Sequence, residues 1–589
     1  MRLPKEKWPD TDGSRGILMF AQLMSEMLTP TTFESFRVYS LDTITRVYEA
    51  LELIADVQDQ RVPRAVLDPV IEEMRWSFAK DPAARSLAAD EIESLMTLLG
   101  TSFSLDDFSS HLWLIERLIA ETYKETLERL LLELFDQPKQ RMDYRKLVGF
   151  YCSHLVNLGY QRNHIRHVVE ETFFDKTVVR MGRKTIEKFL SKFDGKNRRY
   201  TVHVGVTRDL GNYLRGLDFN AFAAVAGSAY GPTLDENGNA DILTWVFEWP
   251  VDTLDPEGAM DSAYQFLSAQ RAISFLDPYG MHCEWGDTMH VTLHRAKSGL
   301  GITKTDFLEN KTRPVPSKQN VRKITRARTI SNYAADIARN FDETSTERLL
   351  SSIRTAALAR TSFNSENRLI SLWSAIEVLL SEPREVARIV HYAKLIVPCT
   401  VMRHTRRQVI AVYNELLPRY RNRLNKITRD METDEHGQDS FAELVFLKEN
   451  EEHQKRLCDL LTDNPLALHR VFKLQRDYKN IGAVNGTMDD HYNRVRWQIH
   501  RVYRARNQLV HAGLMPSYLE SVILNLAEYY RSAIVTIVGR AKKEEDESDI
   551  DQVVSEIGIK YRIMRSYFGK ARADTPLTKE HVSRLMDTK

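Results

Sequence analysis

The spacing of apolar residues changes character only twice along this chain, and this constrains the fold more than any single motif. Up to about residue 195 the apolar residues recur at helical spacing, as on one face of a helix. Between about 196 and 300, three segments alternate apolar and polar residues, as strands do. Helical spacing then returns. We therefore predict a mainly α, multi-domain protein with a helical N-terminal region, a small central α+β domain and a C-terminal helical bundle.

The N-terminal region, 1–195, is expected to be helical and to carry no catalytic residues. Its first predicted helices are 41–57, 64–79, 86–100 and one long amphipathic helix at 105–135. In the central domain, 196–300, strands are predicted at 199–206, 241–249 and 288–293, with a hairpin turn at 235–239. A helix is predicted to begin at Asp255 and Pro256, because proline favours the first helical position.

A helical connector, 301–343, leads into a predicted helical bundle at 344–541. The helices predicted there are 344–360, 365–381, 383–397, 405–425, 440–463, 466–478, 489–511 and 516–540. The remaining residues, 542–589, are read as a charged break, a helix at 550–568 and a polar tail.

Composition excludes several classes of protein. A formal net charge of +1 is not that of a globally basic nucleic-acid coat, although it allows local basic patches. The four cysteines have no CxxC spacing, which favours a reducing cytoplasm over a disulfide or zinc framework. No apolar run approaches the length of a membrane span. We expect a cytoplasmic protein with no membrane association.

No known cofactor motif stands out. The sequence contains no glycine-rich phosphate loop, GxSxG elbow or HExxH pair. His282, Cys283, His290 and His294 fall on predicted strands and turns without the spacing of ligands on one face. We therefore predict no metal site and no cofactor.

The segment 501–513, RVYRARNQLVHAG, combines a helix end with an unusual arginine. Val502 and Leu509 continue an apolar stripe, and Gly513 supplies a helix stop. Arg506 falls four residues after Val502 and three before Leu509, where the stripe predicts an apolar residue. Since a buried unpaired charge costs several kcal/mol, we expect Arg506 to have a partner or to line a polar cavity.

Glu377 is the predicted partner, because it lies on the apolar face of the helix predicted at 365–381. We expect its carboxylate to accept hydrogen bonds from Arg506 and to fix the guanidinium. A purely structural ion pair between two helices is the other reading. Asn507 and His511 are four residues apart on the neighbouring face. His511 favours the catalytic reading, because it is titratable and lies at a helix C-terminus, where the dipole favours the imidazolium.

These residues together resemble the HEPN superfamily (higher eukaryotes and prokaryotes nucleotide-binding), within its Apea-like, abortive-infection branch. Its members share a bundle of four to five helices and an Arg-x(4–6)-His motif whose arginine is usually followed by a polar residue. Arg506, Asn507 and His511 match that motif, with four residues between Arg506 and His511. Arg504, with six residues before His511, also satisfies the spacing.

The resemblance covers about 345–541, roughly a third of the chain. RxxxLWxxxE at 368–377 is similar to the first core helix of that branch. WQIHRVYRARNQLVHAG at 497–513 is similar to the helix that carries the motif.

The resemblance implies a metal-independent endoribonuclease that leaves 2',3'-cyclic phosphate and 5'-hydroxyl ends. His511 would move the proton as general base or acid, and Arg506 would stabilise charge on the phosphate. Asn507 would bind the phosphate or orient His511, and Glu377 would fix Arg506. The resemblance also implies a homodimer formed through the bundle. It suggests a toxin in anti-phage defence. From the architecture alone, we expect the N-terminal region and the small α+β domain to sense a phage-derived trigger or to restrain the nuclease, because over 300 residues without visible catalytic residues precede the bundle.

An RNA substrate requires a positively charged surface, and basic residues surround the motif in the sequence. The candidate RNA-binding residues are Arg406, Arg407, Arg421, Arg423, Arg501, Tyr503 and Arg504. The alternative is that these residues only line solvated helix faces.

Two other functions are compatible with the sequence. One is a non-catalytic HEPN scaffold that binds RNA, a nucleotide or a partner protein. The other is a helical protein-interaction hub that does not bind RNA.

Overall fold

The structure, a computed structural model, is mainly helical with one small antiparallel sheet, as the sequence predicts. It describes residues 12–30, 32–136, 141–175, 181–223, 243–276, 281–286, 288–294, 299–303, 320–362, 364–381, 388–431, 433–541 and 547–586. None of the described helices combines the length and the apolar character needed to cross a membrane.

The chain forms two compact units. The first comprises Met1–Ser153, Lys176–Arg183 and Arg313–Lys589, and the second comprises His154–Asp175 and Lys184–Thr312. The N-terminal helices up to Ser153 therefore belong to the same unit as the C-terminal bundle. The α+β unit includes helices before residue 195 as well as the central sheet.

Ten helices precede the sheet in the described residues. They are α1 (Asp12–Met27), α2 (Thr43–Gln58), α3 (Asp68–Lys80), α4 (Pro82–Leu87), α5 (Ala89–Leu98), α6 (Leu105–Ile119), α7 (Tyr123–Asp136), α8 (Arg141–Asn157), α9 (Arg162–Val169) and α10 (Arg183–Leu190). Several begin at side-chain caps. Asp42 accepts a hydrogen bond from the Thr45 amide, and Ser104 accepts one from the Asp107 amide, which satisfies N–H groups that lack helical partners.

The single helix predicted at 105–135 is wrong, because the chain breaks between Ile119 and Tyr123. Apolar residues continue at a spacing of four across the break, so the sequence pattern does not reveal it. Tyr123 is fully buried and donates its hydroxyl to Asp81 at 2.5 Å. That hydrogen bond fixes the start of α7 in the core.

The second unit is built on a five-stranded antiparallel sheet. Its strands are β1 (Arg198–Val206), β2 (Ala221–Ala223), β3 (Trp245–Thr253), β4 (Thr288–Leu293) and β5 (Gly299–Thr303), in the order β2-β3-β1-β4-β5. The three predicted strands correspond to β1, β3 and β4, while the hairpin turn predicted at 235–239 lies outside the described residues.

One face of the sheet is covered by helices α11 (Arg208–Gly216) and α12 (Pro256–Ile273). Alternate residues of β1 point into this core, among them Val202, Val204 and Val206. The predicted start of α12 is confirmed, because Asp255 caps it by accepting a hydrogen bond from the Gly258 amide at 2.7 Å.

The described residues of the C-terminal half of the first unit form helices joined by short non-helical segments. Its helices are α13 (Asn320–Asn340), α14 (Glu343–Thr361), α15 (Ser365–Leu379), α16 (Arg388–Val401), α17 (His404–Arg429), α18 (Gln438–Phe446), α19 (Glu451–Leu460), α20 (Pro465–Asp477), α21 (Ile481–Ala512), α22 (Leu519–Ala541), α23 (Ile550–Lys570) and α24 (Lys579–Met586).

The helix predicted at 440–463 is two helices, α18 and α19. Leu447 has extended backbone angles and ends α18. The Leu447 amide still donates to the Glu443 carbonyl at 3.1 Å, and the buried side chain of Asn450 donates to the same carbonyl at 3.0 Å.

The 32-residue helix α21 is the centre of the bundle. It packs against α15, α16, α22 and α23, and α14 packs against α15. In the N-terminal region, α3 also packs against α21. The motif residues are therefore carried by an element that is enclosed from several sides.

Candidate functional site

The predicted motif residues lie on the last turns of α21. Asn480 caps the start of this helix by accepting a hydrogen bond from the Ala483 amide at 2.9 Å, so the helix begins earlier than the predicted 489. At the other end Gly513 adopts φ 65°, and its amide donates to the Leu509 carbonyl at 3.1 Å. The predicted helix stop at Gly513 is therefore confirmed as a left-handed cap.

Arg506 and Asn507 form one connected pair. The Arg506 Nη1 donates to Asn507 Oδ1 at 3.1 Å, and both side chains are half-buried. The Arg506 Nε is buried without a hydrogen-bond partner among the described residues. His511 lies one helical turn after Asn507 and is exposed. This end of the helix thus presents a guanidinium, an amide and an accessible imidazole within six consecutive residues.

The predicted ion pair between Arg506 and Glu377 is wrong. Glu377 Oε1 instead accepts a hydrogen bond from Trp373 Nε1 at 2.8 Å, one turn earlier on α15. Among the described residues, neither Glu377 nor Arg506 takes part in an ion pair. The buried stripe of α21 passes through Ala505, which is fully buried, so Arg506 stands beside the stripe.

Glu377 still reaches α21 indirectly, through an aromatic contact. The fully buried ring of Trp373 packs against Tyr503, with ring centroids 5.5 Å apart. Glu377 therefore orients a tryptophan that supports the motif helix. Tyr503, predicted to stack on RNA bases, is half-buried in this contact.

The buried charge of the motif helix is Arg501, which is fully enclosed. Its Nε and Nη2 donate to the two oxygens of Glu49 at 3.0 and 2.8 Å. Nη1 and Nη2 also donate to Glu73, at 3.3 and 2.5 Å. Burial alone lowers the pKa of Arg501, but the two carboxylates more than offset this effect and raise it. Arg501 is therefore a cation held between α21 and the N-terminal helices α2 and α3.

The prediction that Arg501 binds RNA is consequently wrong, because no atom of an enclosed guanidinium can reach a phosphate. Arg504 is also engaged, since its Nη2 donates to Glu49 Oε1 at 2.6 Å. Further along α21, Arg496 pairs with Glu72, which accepts a second hydrogen bond from Trp497 Nε1 at 3.0 Å. The arginines along this side of the motif helix thus form ion pairs with carboxylates of α2 and α3.

Of the four candidate arginines of α17, two are bonded to other residues of the protein and two are exposed. Arg406 donates to the Met586 carbonyl at 2.8 Å, and Arg407 donates to Ser532 Oγ at 2.9 Å and forms an ion pair with Glu528. Arg421 and Arg423 are exposed. Of the predicted RNA-binding arginines, these two are the ones most accessible to a phosphate.

Comparison with known protein families, with curated proteins and with solved structures found no match to this chain.

A second cluster of chemically capable residues lies in the core of the first unit, and the sequence interpretation missed it. Glu34, His404 and His491 are each less than a tenth exposed. Glu34 Oε1 lies 3.3 Å from His491 Nε2 and 3.7 Å from His404 Nδ1. The two imidazole rings are stacked, with centroids 3.4 Å apart. Burial lowers the pKa of His491 to about 4 and that of His404 well below 6.5, which favours the neutral form of both rings.

The three residues come from distant parts of the chain, which is why no motif spacing marks them. Glu34 is in a short 3-10 turn before α2, His404 begins α17, and His491 is in the first half of α21. One signal was present in the sequence. His491 stands on the apolar stripe of α21, three residues after Met488 and four before Val495, both of which are buried.

Proposed function

We propose that this chain is an RNA endonuclease whose chemical step uses side chains and no metal ion. Asn507 and His511 share one face at the exposed end of α21, and Arg506 is bonded to Asn507 there. This arrangement is the observation that carries the proposal. It offers a cation for the phosphate and an accessible proton carrier for a substrate that brings its own nucleophile.

In the proposed reaction the 2'-oxygen of RNA bonds to the adjacent phosphorus as the bond from phosphorus to the 5'-oxygen breaks. The 2'-hydroxyl proton passes to an imidazole, and the leaving 5'-oxygen receives a proton. The products are a 2',3'-cyclic phosphate and a 5'-hydroxyl. Arg506 stabilises the charge on the phosphorane, and Asn507 holds Arg506 in place by their hydrogen bond.

A homodimer is part of the proposal. Val510, Leu514 and Met515 are exposed large apolar residues that flank His511. A second copy that covers these side chains would bury apolar area and bring two His511 side chains towards one cleft. One imidazole could then accept the 2'-hydroxyl proton while the other donates to the 5'-oxygen.

We further propose a cytoplasmic toxin of anti-phage defence that its own N-terminal region restrains. The contacts of Glu49 and Glu73 with Arg501 support restraint, because they tie α21 to α2 and α3. The free thiols of all four cysteines support a reducing compartment. A phage-derived trigger would act by loosening these contacts.

RNA-end sequencing tests the nuclease. Wild-type chain expressed during phage infection should generate 2',3'-cyclic phosphate ends, and Arg506→Ala and His511→Ala should each reduce them at least about 100-fold. His436→Ala, which replaces another exposed histidine, is the matched control and should leave the ends unchanged. Wild-type chain that yields no cyclic phosphate ends, or a control as inactive as His511→Ala, would contradict the proposal.

One observation favours the alternative function, a non-catalytic scaffold that binds RNA, a nucleotide or a partner protein. Arg501 and Arg504 are already paired with carboxylates, which leaves a smaller basic surface than a nuclease of long RNA would use. A chain that binds RNA or a nucleotide with salt-dependent affinity, but generates no new RNA ends, would identify the scaffold.

A further inference from the structure

Glu34, His404 and His491 are distinguished by hydrogen-bonding groups that have no partner. Both oxygens of Glu34, both ring nitrogens of His491 and Nδ1 of His404 are buried and make no hydrogen bond within the described residues. The nearest approaches, at 3.3 and 3.7 Å, do not have hydrogen-bond geometry. A buried polar group without a partner costs about 1–3 kcal/mol, and a buried carboxylate costs more.

We propose that these three side chains bind one divalent transition-metal ion, with Zn²⁺ the best fit. One potential ligand atom from each residue lies within 4.8 Å of the other two. Two imidazole nitrogens and a carboxylate oxygen are a ligand set that Zn²⁺ accepts, with a fourth position for water or the second oxygen of Glu34. A single cation would satisfy three groups that no described donor satisfies.

The surrounding charges are compatible with a cation at this position. Arg407 acts on both Glu34 and His404, but its guanidinium is paired with Glu528 and lies over the Phe33 ring. Arg494 and Lys473 also act on both histidines, and Lys473 is paired with Asp477. Two neutral imidazoles and one carboxylate carry a net charge of −1, and a bound Zn²⁺ changes it to +1. The ion would therefore give the buried Glu34 carboxylate a direct partner of opposite charge.

This metal would stabilise the fold and take no part in RNA cleavage. His491 precedes Arg506 by 15 residues on the same helix. At 1.5 Å per residue that distance is about 22 Å along the helix axis, too far for a metal ligand to act on the scissile phosphate. The site would tie the segment before α2 to α17 and α21, three parts of the first unit that are far apart in sequence.

Metal analysis of the full-length, untagged protein tests the site. We expect roughly one zinc per chain after purification in zinc-containing buffer and dialysis, because three protein ligands converge. His491→Gln and Glu34→Gln should lower the bound zinc at least about 10-fold. His500→Gln is the matched control, since His500 is a buried histidine on the same helix outside the cluster, and it should keep the wild-type zinc content.

Wild-type protein provides a test that does not depend on how the variants fold. Co²⁺ added to chelator-treated protein should give d–d absorption bands of tetrahedral nitrogen and oxygen coordination, and Zn²⁺ should abolish them in a 1:1 titration. Zn²⁺ should also raise the melting temperature. No bound Co²⁺ or Zn²⁺, or wild-type zinc content in His491→Gln, would overturn the site and identify the cluster as a metal-free buried contact. Neither result decides whether the chain cleaves RNA, which the RNA-end assay tests separately.

Discussion

Arg501 and Glu49 form a two-pronged buried ion pair between residues 452 positions apart, with both carboxylate oxygens accepting from the guanidinium at 3.0 and 2.8 Å. Glu49→Gln should lower the free energy of unfolding by about 3 kcal/mol, because it leaves the buried Arg501 charge incompletely paired. Urea denaturation measures the change.

Glu72→Gln is the matched control for this substitution. Glu72 pairs with Arg496 on the same helix, but its side chain is 39% exposed. Since solvent screens such a pair, the loss should stay below about 1 kcal/mol. If Glu49→Gln and Glu72→Gln lower the free energy of unfolding equally, the buried ion pair contributes no more to stability than the exposed one.

The same contact predicts a specific pH dependence. Burial acts to raise the pKa of Glu49, but Arg501 and Arg504 more than offset this and lower it from 4.5 to about 2. Because the folded-state pKa is the lower one, the contribution to stability is complete above about pH 4.5 and is lost as the pH falls towards 2. Glu49→Gln should therefore flatten the plot of stability against pH in that window, as measured by urea denaturation at a series of pH values.

His500→Gln should act in a different pH window. Burial lowers the pKa of His500 from 6.5 to about 4, so the wild-type fold loses stability as the pH falls through that range. In the plot of stability against pH, His500→Gln should remove the slope between about pH 6.5 and 4. The slope below pH 4 should remain. Unchanged slopes for both variants would place the acid sensitivity in other groups.

Replacing two glycines by alanine should change stability in opposite directions: Gly513, which caps α21, and Gly486, which lies within it. Gly513 has φ 65°, a conformation that costs an alanine about 1 kcal/mol, although a Cβ there would meet no atom within 4 Å. Gly486 lies in the helical interior, also with open space around it, and Gly486→Ala should add about 0.5–1 kcal/mol. Thermal unfolding measures both, and Gly513→Ala should in addition speed amide exchange in the last turn.

Glu377 should matter as a hydrogen-bond acceptor more than as a charge. Glu377→Ala removes the partner of Trp373 Nε1 and should lower stability by about 1–3 kcal/mol. Glu377→Gln keeps an amide oxygen in place and should cost less than about 1 kcal/mol. If RNA cleavage falls equally in the two variants while the fold is retained, the carboxylate charge itself is needed for the reaction.

Arg421 and Arg423 should contribute to RNA binding, because their side chains are exposed on α17. Replacing both by alanine should weaken binding and reduce the slope of log affinity against log salt by about 1–2, as expected for the loss of two phosphate contacts. Arg61→Ala, which removes an exposed arginine of the N-terminal region, should change neither quantity. Fluorescence anisotropy with a single-stranded RNA at several salt concentrations provides the measurement.

The sequence predicted the elements of this fold better than the contacts between them. Helical and strand spacing located β1, α12 and the end of α21, because these depend on local rules for alternation and capping. The break between α6 and α7 was missed, since Tyr123 continues the spacing of the preceding helix while its hydroxyl bonds to Asp81.

The predicted partner of Arg506 failed for a related reason. Periodicity shows that a charge lies near an apolar stripe, but it does not show which distant helix faces that charge. Arg501 was assigned to a surface because the pattern of one helix cannot reveal that α2 and α3 cover it. Glu34, His404 and His491 meet only through tertiary packing, and a single sequence contains no spacing rule for such a meeting.

The pairing of Arg501 with Glu49 also sets an order of events during synthesis. At about 5–20 residues per second, a ribosome needs on the order of 20–90 s to add the 452 residues that separate them. During that interval Glu49 lacks both of its arginine partners, Arg501 and Arg504, while Glu73 can pair only with Arg46. The first unit can therefore close only after most of the chain has been synthesised. Products that terminate before α21 lack both the cation of Glu49 and the helix that packs against α3.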